Sequence, residues 1–186
     1  MDIGIISARY ARALFDFAKG KQAETRVYDD LKMLAASFRS EPTLKEALAN
    51  PVLSEKEKMQ LIRNAAGIEV CTEFTRFIRL VLQQKRESVL QIICLIYIDL
   101  YRKEKNINRV DLYSAVPLSQ PLKDRLVYEI RLQTGGSIEL SEHIKPEIIG
   151  GLIMRMNNNQ MDASIASQLK RVKRQLMEKN RQTESK

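Results

Sequence analysis

The 186-residue chain reads as mainly α, an N-terminal six-helix bundle followed by a small α/β C-terminal domain. Three observations carry that reading. Glycine (7) and proline (5) are sparse, and the residues in their place are mostly good helix formers. Apolar residues recur at three- and four-residue steps as far as residue 105, and from residue 110 the period shortens to two. With 44% hydrophobic and 29% charged residues, the chain is ordinary globular material, long enough for one domain or two small ones.

In the first helix, Arg9, Arg12, Asp16 and Lys19 fall on one narrow stripe, and the rest is apolar or small. Tyr10, Leu14 and Phe17 make one apolar line; Ala8, Ala11, Phe15 and Ala18 make another. That arc is wider than the roughly 100° a single core requires. Either the helix is covered on both sides by its own domain, or its outer face is kept for a partner. A second helix carries the one-sided stripe Val27, Leu31, Leu34 and Phe38, and a third, after Pro42, carries Leu44, Ala47 and Leu48 and stops at Asn50-Pro51. The fourth opens on a capping box, Ser54 with Glu57, and Gly67 is expected to supply a left-handed stop. Phe74, Phe77, Ile78, Val81 and Leu82 mark the fifth. The sixth, from about Ser88 to Lys105, is apolar nearly all round at first and reads as a buried core helix.

Helical periodicity ends at Asn106-Ile107-Asn108, which places the domain seam there. Val110, Leu112, Ser114 and Val116 alternate as a strand that Pro117 closes. Ser119 is positioned to cap a helix with Leu122, Leu126 and Ile130, ended by Gly135-Gly136. Ile138 and Leu140 suggest a second short strand. Leu152 to Met156, Asn157-Asn158-Asn159 and Gln160 to Ala163 read as a hairpin, because asparagine tolerates positive φ. A last helix carries Ile165, Leu169, Val172 and Leu176, and the polar tail beyond Glu178 is expected to fray.

The net charge of +8 invites a nucleic-acid or acidic-partner reading. Residues 1–105 and 106–186 each carry +4, so neither half is a basic arm. Only the last helix is locally basic: Lys170, Arg171, Lys173 and Arg174 surround the Leu169, Val172, Leu176 stripe. That pattern suits an acidic helix, RNA or a membrane surface. No aromatic residue interleaves with these charges, so a stacking platform for single-stranded nucleic acid has little support.

Catalytic candidates are few. His143 lies beside a proline in the polar stretch SEHIKP, with no nucleophile or metal-ligand companion, and reads as a surface-loop residue. Gly150-Gly151 lacks the longer glycine pattern and the Lys-Ser/Thr of a phosphate loop, and marks a tight lead into a strand. Asp162 and Ser164 sit where the last helix begins and read as caps. Cys71 and Cys94 fall inside apolar helical patterns and read as small buried hydrophobes in a reducing compartment. With no catalytic residues, no metal ligands and no cofactor site in view, the chain is expected to hold partners and not to be an enzyme. The start MDIGIISARYAR has no signal-peptide core, and the most apolar run, VLQIICLIYIDL, has twelve residues where a spanning helix needs about 20.

The order of parts is informative: ARYARALFDFAK (8–19), NPVLSEKEK (50–58), RESVLQII (86–93), YSAVPLS (113–119), KPEIIGGLIMRM (145–156) and MDASIASQLKRVKRQL (161–176). Together they resemble the delta subunit family of bacterial F-type ATP synthases, whose mitochondrial counterpart is the oligomycin-sensitivity-conferring protein. The resemblance covers essentially the whole chain. It implies a non-catalytic stator connector. Residues 1–105 form a bundle that binds N-terminal helices of the alpha subunits of the catalytic head, in a groove between the first and fifth helices. Carried over by position, that groove involves Tyr10, Ala13 and Phe17 with Phe77, Leu80 and Val81. Residues 106–178 engage the b subunits of the peripheral stalk, for which Leu169, Val172 and Leu176 are the candidates, and 179–186 form a polar tail. The resemblance implies no cofactor, no nucleic acid, and peripheral association, through the complex, with the cytoplasmic face of the cell inner membrane. A helical RNA-binding adaptor using the basic last helix is the alternative. Family members commonly have a glycine in the hairpin, where this chain has Asn157, Asn158 and Asn159.

Overall fold

A computed structural model describes residues 3–67, 69–157 and 159–184, with side chains through residue 178. The chain divides into two compact units, Met1–Glu104 and Lys105–Lys186.

The first unit contains α1 (Ile3–Gly20), α2 (Glu24–Ser40), α3 (Pro42–Ala49), α4 (Glu55–Ala66), α5 (Thr72–Gln83) and α6 (Leu90–Glu104). Its core forms where the stripes converge. Leu31 and Leu34 of α2, Ile62 of α4, Phe74 and Ile78 of α5, and Ile93 and Tyr97 of α6 are all fully buried. Two ring contacts tie α6 in. Phe15 meets Tyr97 edge to face at 5.7 Å, and Tyr28 stacks on Tyr101 at 4.2 Å.

Helix ends follow local chemistry. Ser54 Oγ accepts from the Glu57 N–H at 3.3 Å, and the Ser54 N–H donates to Glu57 Oε2 at 2.8 Å, so the capping box is complete. The cap holds the Glu57 carboxyl below its usual range, first through the Ser54 hydroxyl and then through its N–H. Gly67 ends α4 at φ 116°, ψ 164°, which is not the left-handed stop expected; a β-carbon there would stand 3.1 Å from Met33 Cε. Cys71 is also placed differently. It precedes α5, and its sulfur accepts from the Phe74 N–H at 3.4 Å. The buried Asp30 of α2 accepts from the Cys71 N–H at 2.9 Å, putting a carboxylate at the positive end of α5. Burial pushes the Cys71 thiol up to about 11 and the Cys94 thiol to about 12, so both are protonated and inert at neutral pH. Helix α6 is not buried all round, because Ile92 and Leu95 lie on an exposed face.

The second unit contains β1 (Ile107–Ser114), α7 (Gln120–Thr134), β2 (Ser137–Ile144), β3 (Leu152–Met156), β4 (Asn159–Asp162) and α8 (Ile165–Glu184). The sheet order is β2-β1-β3-β4. β1 and β2 are parallel, joined by the α7 crossover, and the remaining pairs are antiparallel. β1 alternates as read, with Val110, Leu112 and Ser114 buried. It begins at Ile107 and ends before Val116, which is exposed. Ser119 precedes α7 without a side-chain capping bond; its carbonyl accepts from the Leu122 and Lys123 N–H groups instead. At the β3–β4 hairpin Asn157 adopts φ 52°, the left-handed region that asparagine tolerates; Asn158 lies outside the described residues. Gly151 leads into β3 at φ 73°, and any β-carbon would fall 2.2 Å from the Ala163 carbonyl oxygen. The α8 backbone is helical as far as Glu184, while the side chains of the tail read at 179–186 lie outside the described residues. Among the described residues no helix is long and apolar enough to cross a membrane.

Candidate functional site

In α1 burial cuts across the two apolar lines. Ala11, Leu14, Phe15 and Ala18 are buried with Ser7, whereas Ala8 and Ala13 are exposed and Tyr10 is half-buried. Phe17 keeps 40% of its surface in solvent. On α5, Phe77 is buried but Leu80, three residues on, is 46% exposed. These side chains face an open cleft of about 520 Å³ between the two helices. Tyr10, Ala13, Leu14 and Phe17 form one wall and Phe77 and Leu80 the other, with Tyr10 and Phe77 in edge-to-face contact at 6.4 Å.

The spacing explains the cleft. Positions 10, 13, 14 and 17, like 77, 80 and 84, step by three or four and therefore share a helix face. Ala13 in the middle of the wall adds little side-chain bulk to the cleft. Of the six residues expected here, five line the cleft; Val81 does not, being fully buried in the bundle core. Leu14, Arg9, Arg76 and Gln84 also line it, and sequence reasoning passed over them. Leu14 was read on one apolar line with Tyr10 and Phe17 but not assigned to the groove, Arg9 was read only as part of a charged stripe, and Arg76 was not singled out. No carboxylate lines the cleft, and neither arginine has an ion-pair partner among the described residues.

A second apolar surface lies on α8. Ile165, Leu169, Val172, Leu176 and Met177 are each between 42% and 57% exposed. Lys170, Arg171, Lys173 and Arg174 flank them, all exposed. The start of this helix is tightly held. Asp162 Oδ1 accepts from the Ser164 N–H at 2.9 Å and its hydroxyl at 2.6 Å, Asp162 Oδ2 accepts from the Ser167 hydroxyl at 2.7 Å, and Ser164 Oγ accepts from the Ser167 N–H at 3.2 Å. These bonds, led by the Ser164 hydroxyl, hold the Asp162 carboxyl below its ordinary value of 3.8.

His143 is not in a loop. It sits on β2, stacked on Tyr113 at 4.9 Å, with Nε2 3.2 Å from Asp111 Oδ1. Burial opposes the charge on Asp111, yet Arg109 and His143 outweigh it and keep that carboxyl below its usual range. Asp111 thus bridges Arg109 and His143, and no hydroxyl or thiol bonds to the imidazole among the described residues. No group of three or more His, Cys, Asp or Glu side chains able to hold a metal ion occurs among those residues either.

A family model described as ATP synthase delta (OSCP) subunit matches residues 6–176. The ATP synthase subunit delta of Parabacteroides distasonis is 52% identical over 178 residues, 96% of this chain and 99% of its own. That of Bacteroides thetaiotaomicron is 45% identical, over 97% of this chain and 98% of its own, and that of Desulforudis audaxviator 31%, over 94% and 96%. Among solved structures, a chain of the Toxoplasma gondii mitochondrial ATP synthase hexamer superposes with a TM-score of 0.67 at 20% identity, covering 92% of this chain and 97% of that one.

Proposed function

The chain belongs to the ATP synthase delta (OSCP) subunit family, whose members are non-catalytic subunits of ATP synthase, and from that premise we propose how its two units divide the work of a stator connector. The first unit takes N-terminal helices of the alpha subunits into the α1–α5 cleft. The second unit lays the Leu169, Val172, Leu176 stripe of α8 against the C-terminal ends of the b subunits. Head and stalk are thereby tied together, so that rotation is coupled to ATP synthesis and ion transport. The protein sits at the cytoplasmic face of the inner membrane through the complex.

The single observation that carries this reading is the cleft itself. Exposed Phe17 and Leu80 beside half-buried Tyr10 line an open apolar cleft of about 520 Å³, a surface suited to receive the apolar face of an amphipathic helix. Two sites on one chain add avidity through effective concentration, which suits a part that must hold against torque. The RNA-adaptor alternative gains no support, since no aromatic side chain accompanies the basic residues of α8.

The test is titration of the full chain with a peptide matching the N-terminal helix of its own organism's alpha subunit. Saturable binding is expected, and Ala13→Glu is expected to weaken it about 100-fold or more, because a bulky charged side chain replaces the small residue in the middle of the apolar wall. Unchanged affinity in a folded Ala13→Glu protein would remove the cleft from the account.

A further inference from the structure

The cleft carries a charge pattern that its apolar walls do not explain. Arg9 precedes Tyr10 on α1, Arg76 precedes Phe77 on α5, and the Tyr10 and Phe77 rings meet. The two arginines line the same cleft as this ring pair, one from each helix. Both residues are exposed, both line the cleft, and neither has an ion-pair partner among the described residues. A cleft whose only charged lining residues are cations presents a positive potential to whatever enters, and apolar contact alone cannot discriminate between amphipathic helices of different charge.

Resting on the reading of the cleft as a helix receptor, we propose that Arg9 and Arg76 determine its specificity. They select a helix whose apolar stripe is flanked by carboxylates where it passes the Tyr10–Phe77 pair. The α1 wall from Arg9 to Phe17 corresponds to about 12 Å of helix, so the complementary stretch of the partner is about two to three turns long. Within it, apolar residues at three- and four-residue steps fill the cleft, and an Asp or Glu beside them reaches a guanidinium. A helix with lysine at those places meets like charges and is rejected, which is how such a groove refuses other amphipathic segments of the same hydrophobicity. The apolar walls provide most of the affinity and the arginines provide the choice.

The experiment uses the full chain and two peptides: the N-terminal helix of the alpha subunit, and the same peptide with every Asp and Glu changed to Asn and Gln. The neutral peptide is expected to bind about threefold to tenfold more weakly, with a flatter dependence on salt. Arg9→Gln with Arg76→Gln is expected to cause the same loss with the native peptide and no further loss with the neutral one. Arg9→Glu with Arg76→Glu is expected to prefer a peptide carrying lysine at the acidic positions. If both peptides bind the unmodified chain equally and with the same salt dependence, while Ala13→Glu still abolishes binding, the specificity role is wrong and the groove stands. If neither peptide binds a folded chain, both fall together.

Discussion

At the scale of single residues, caps and tight turns set the local geometry on which each surface depends. Asp162 is the clearest case, since it collects three hydrogen bonds at the start of α8 and so aims the stripe at Leu169, Val172 and Leu176. Its carboxyl is held below the ordinary value of 3.8 in the folded chain. The stabilisation this gives is complete above the unfolded value and is lost as pH falls through the folded one. Asp162→Asn is therefore expected to unfold at a lower temperature than the unmodified chain at pH 7, with the gap closing in acid well below pH 4. Thermal unfolding of both proteins across that range reads the gap directly, and a constant gap would mean the carboxylate charge is irrelevant. The capping roles of Ser54, Glu57, Asp162 and Ser164 were legible because a cap is a short-range pattern. Those of Cys71 and Asp30 were not: a sulfur acceptor mimics an apolar residue, and Asp30 bonds to a backbone group 41 positions away.

At the scale of elements, the bundle must hold α1 and α5 apart enough to leave a cleft while remaining stiff. Lys58 of α4 and Glu87, in the 3₁₀ turn before α6, form an ion pair at 2.6 Å, with only 8% and 14% of their side-chain surfaces exposed. Glu87 Oε2 has no hydrogen-bond partner among the described residues. Removing one member strands a buried charge, so Lys58→Met is expected to cost about 3–5 kcal/mol, whereas Lys58→Met with Glu87→Leu recovers most of that loss. Denaturant unfolding of the three proteins decides it; additive losses in the double variant would show that the pair is not coupled. Stripes such as Val27, Leu31, Leu34 and Phe38 could be read directly because a single core imposes a single period. The two-sided α1 could not be resolved in this way, since periodicity reports which positions are apolar and not which neighbour covers them. The same limit explains Val81, which shares α5 with Leu80 but points into the core. His143 was misplaced for a different reason: on β2 the exposed face of the sheet carries polar residues that mimic a loop.

At the scale of the whole molecule, the account rests on one chain presenting two unlike apolar surfaces, a concave cleft in the first unit and a convex basic stripe in the second. The family was legible in the order of six short motifs, each weak alone, which together run from residue 8 to residue 176. Occupants of these surfaces cannot be read in the same way, since a partner leaves only an uncovered patch on the chain that binds it. To tie head to stalk, one chain must have both surfaces filled at once. The most direct measurement is sedimentation of the full chain with an alpha-subunit N-terminal peptide and a C-terminal segment of the b subunits, alone and together. A ternary complex is expected, one that loses only the peptide in Ala13→Glu and only the b segment in Val172→Glu. Mutually exclusive binding, or loss of both partners from either substitution in a folded chain, would contradict it.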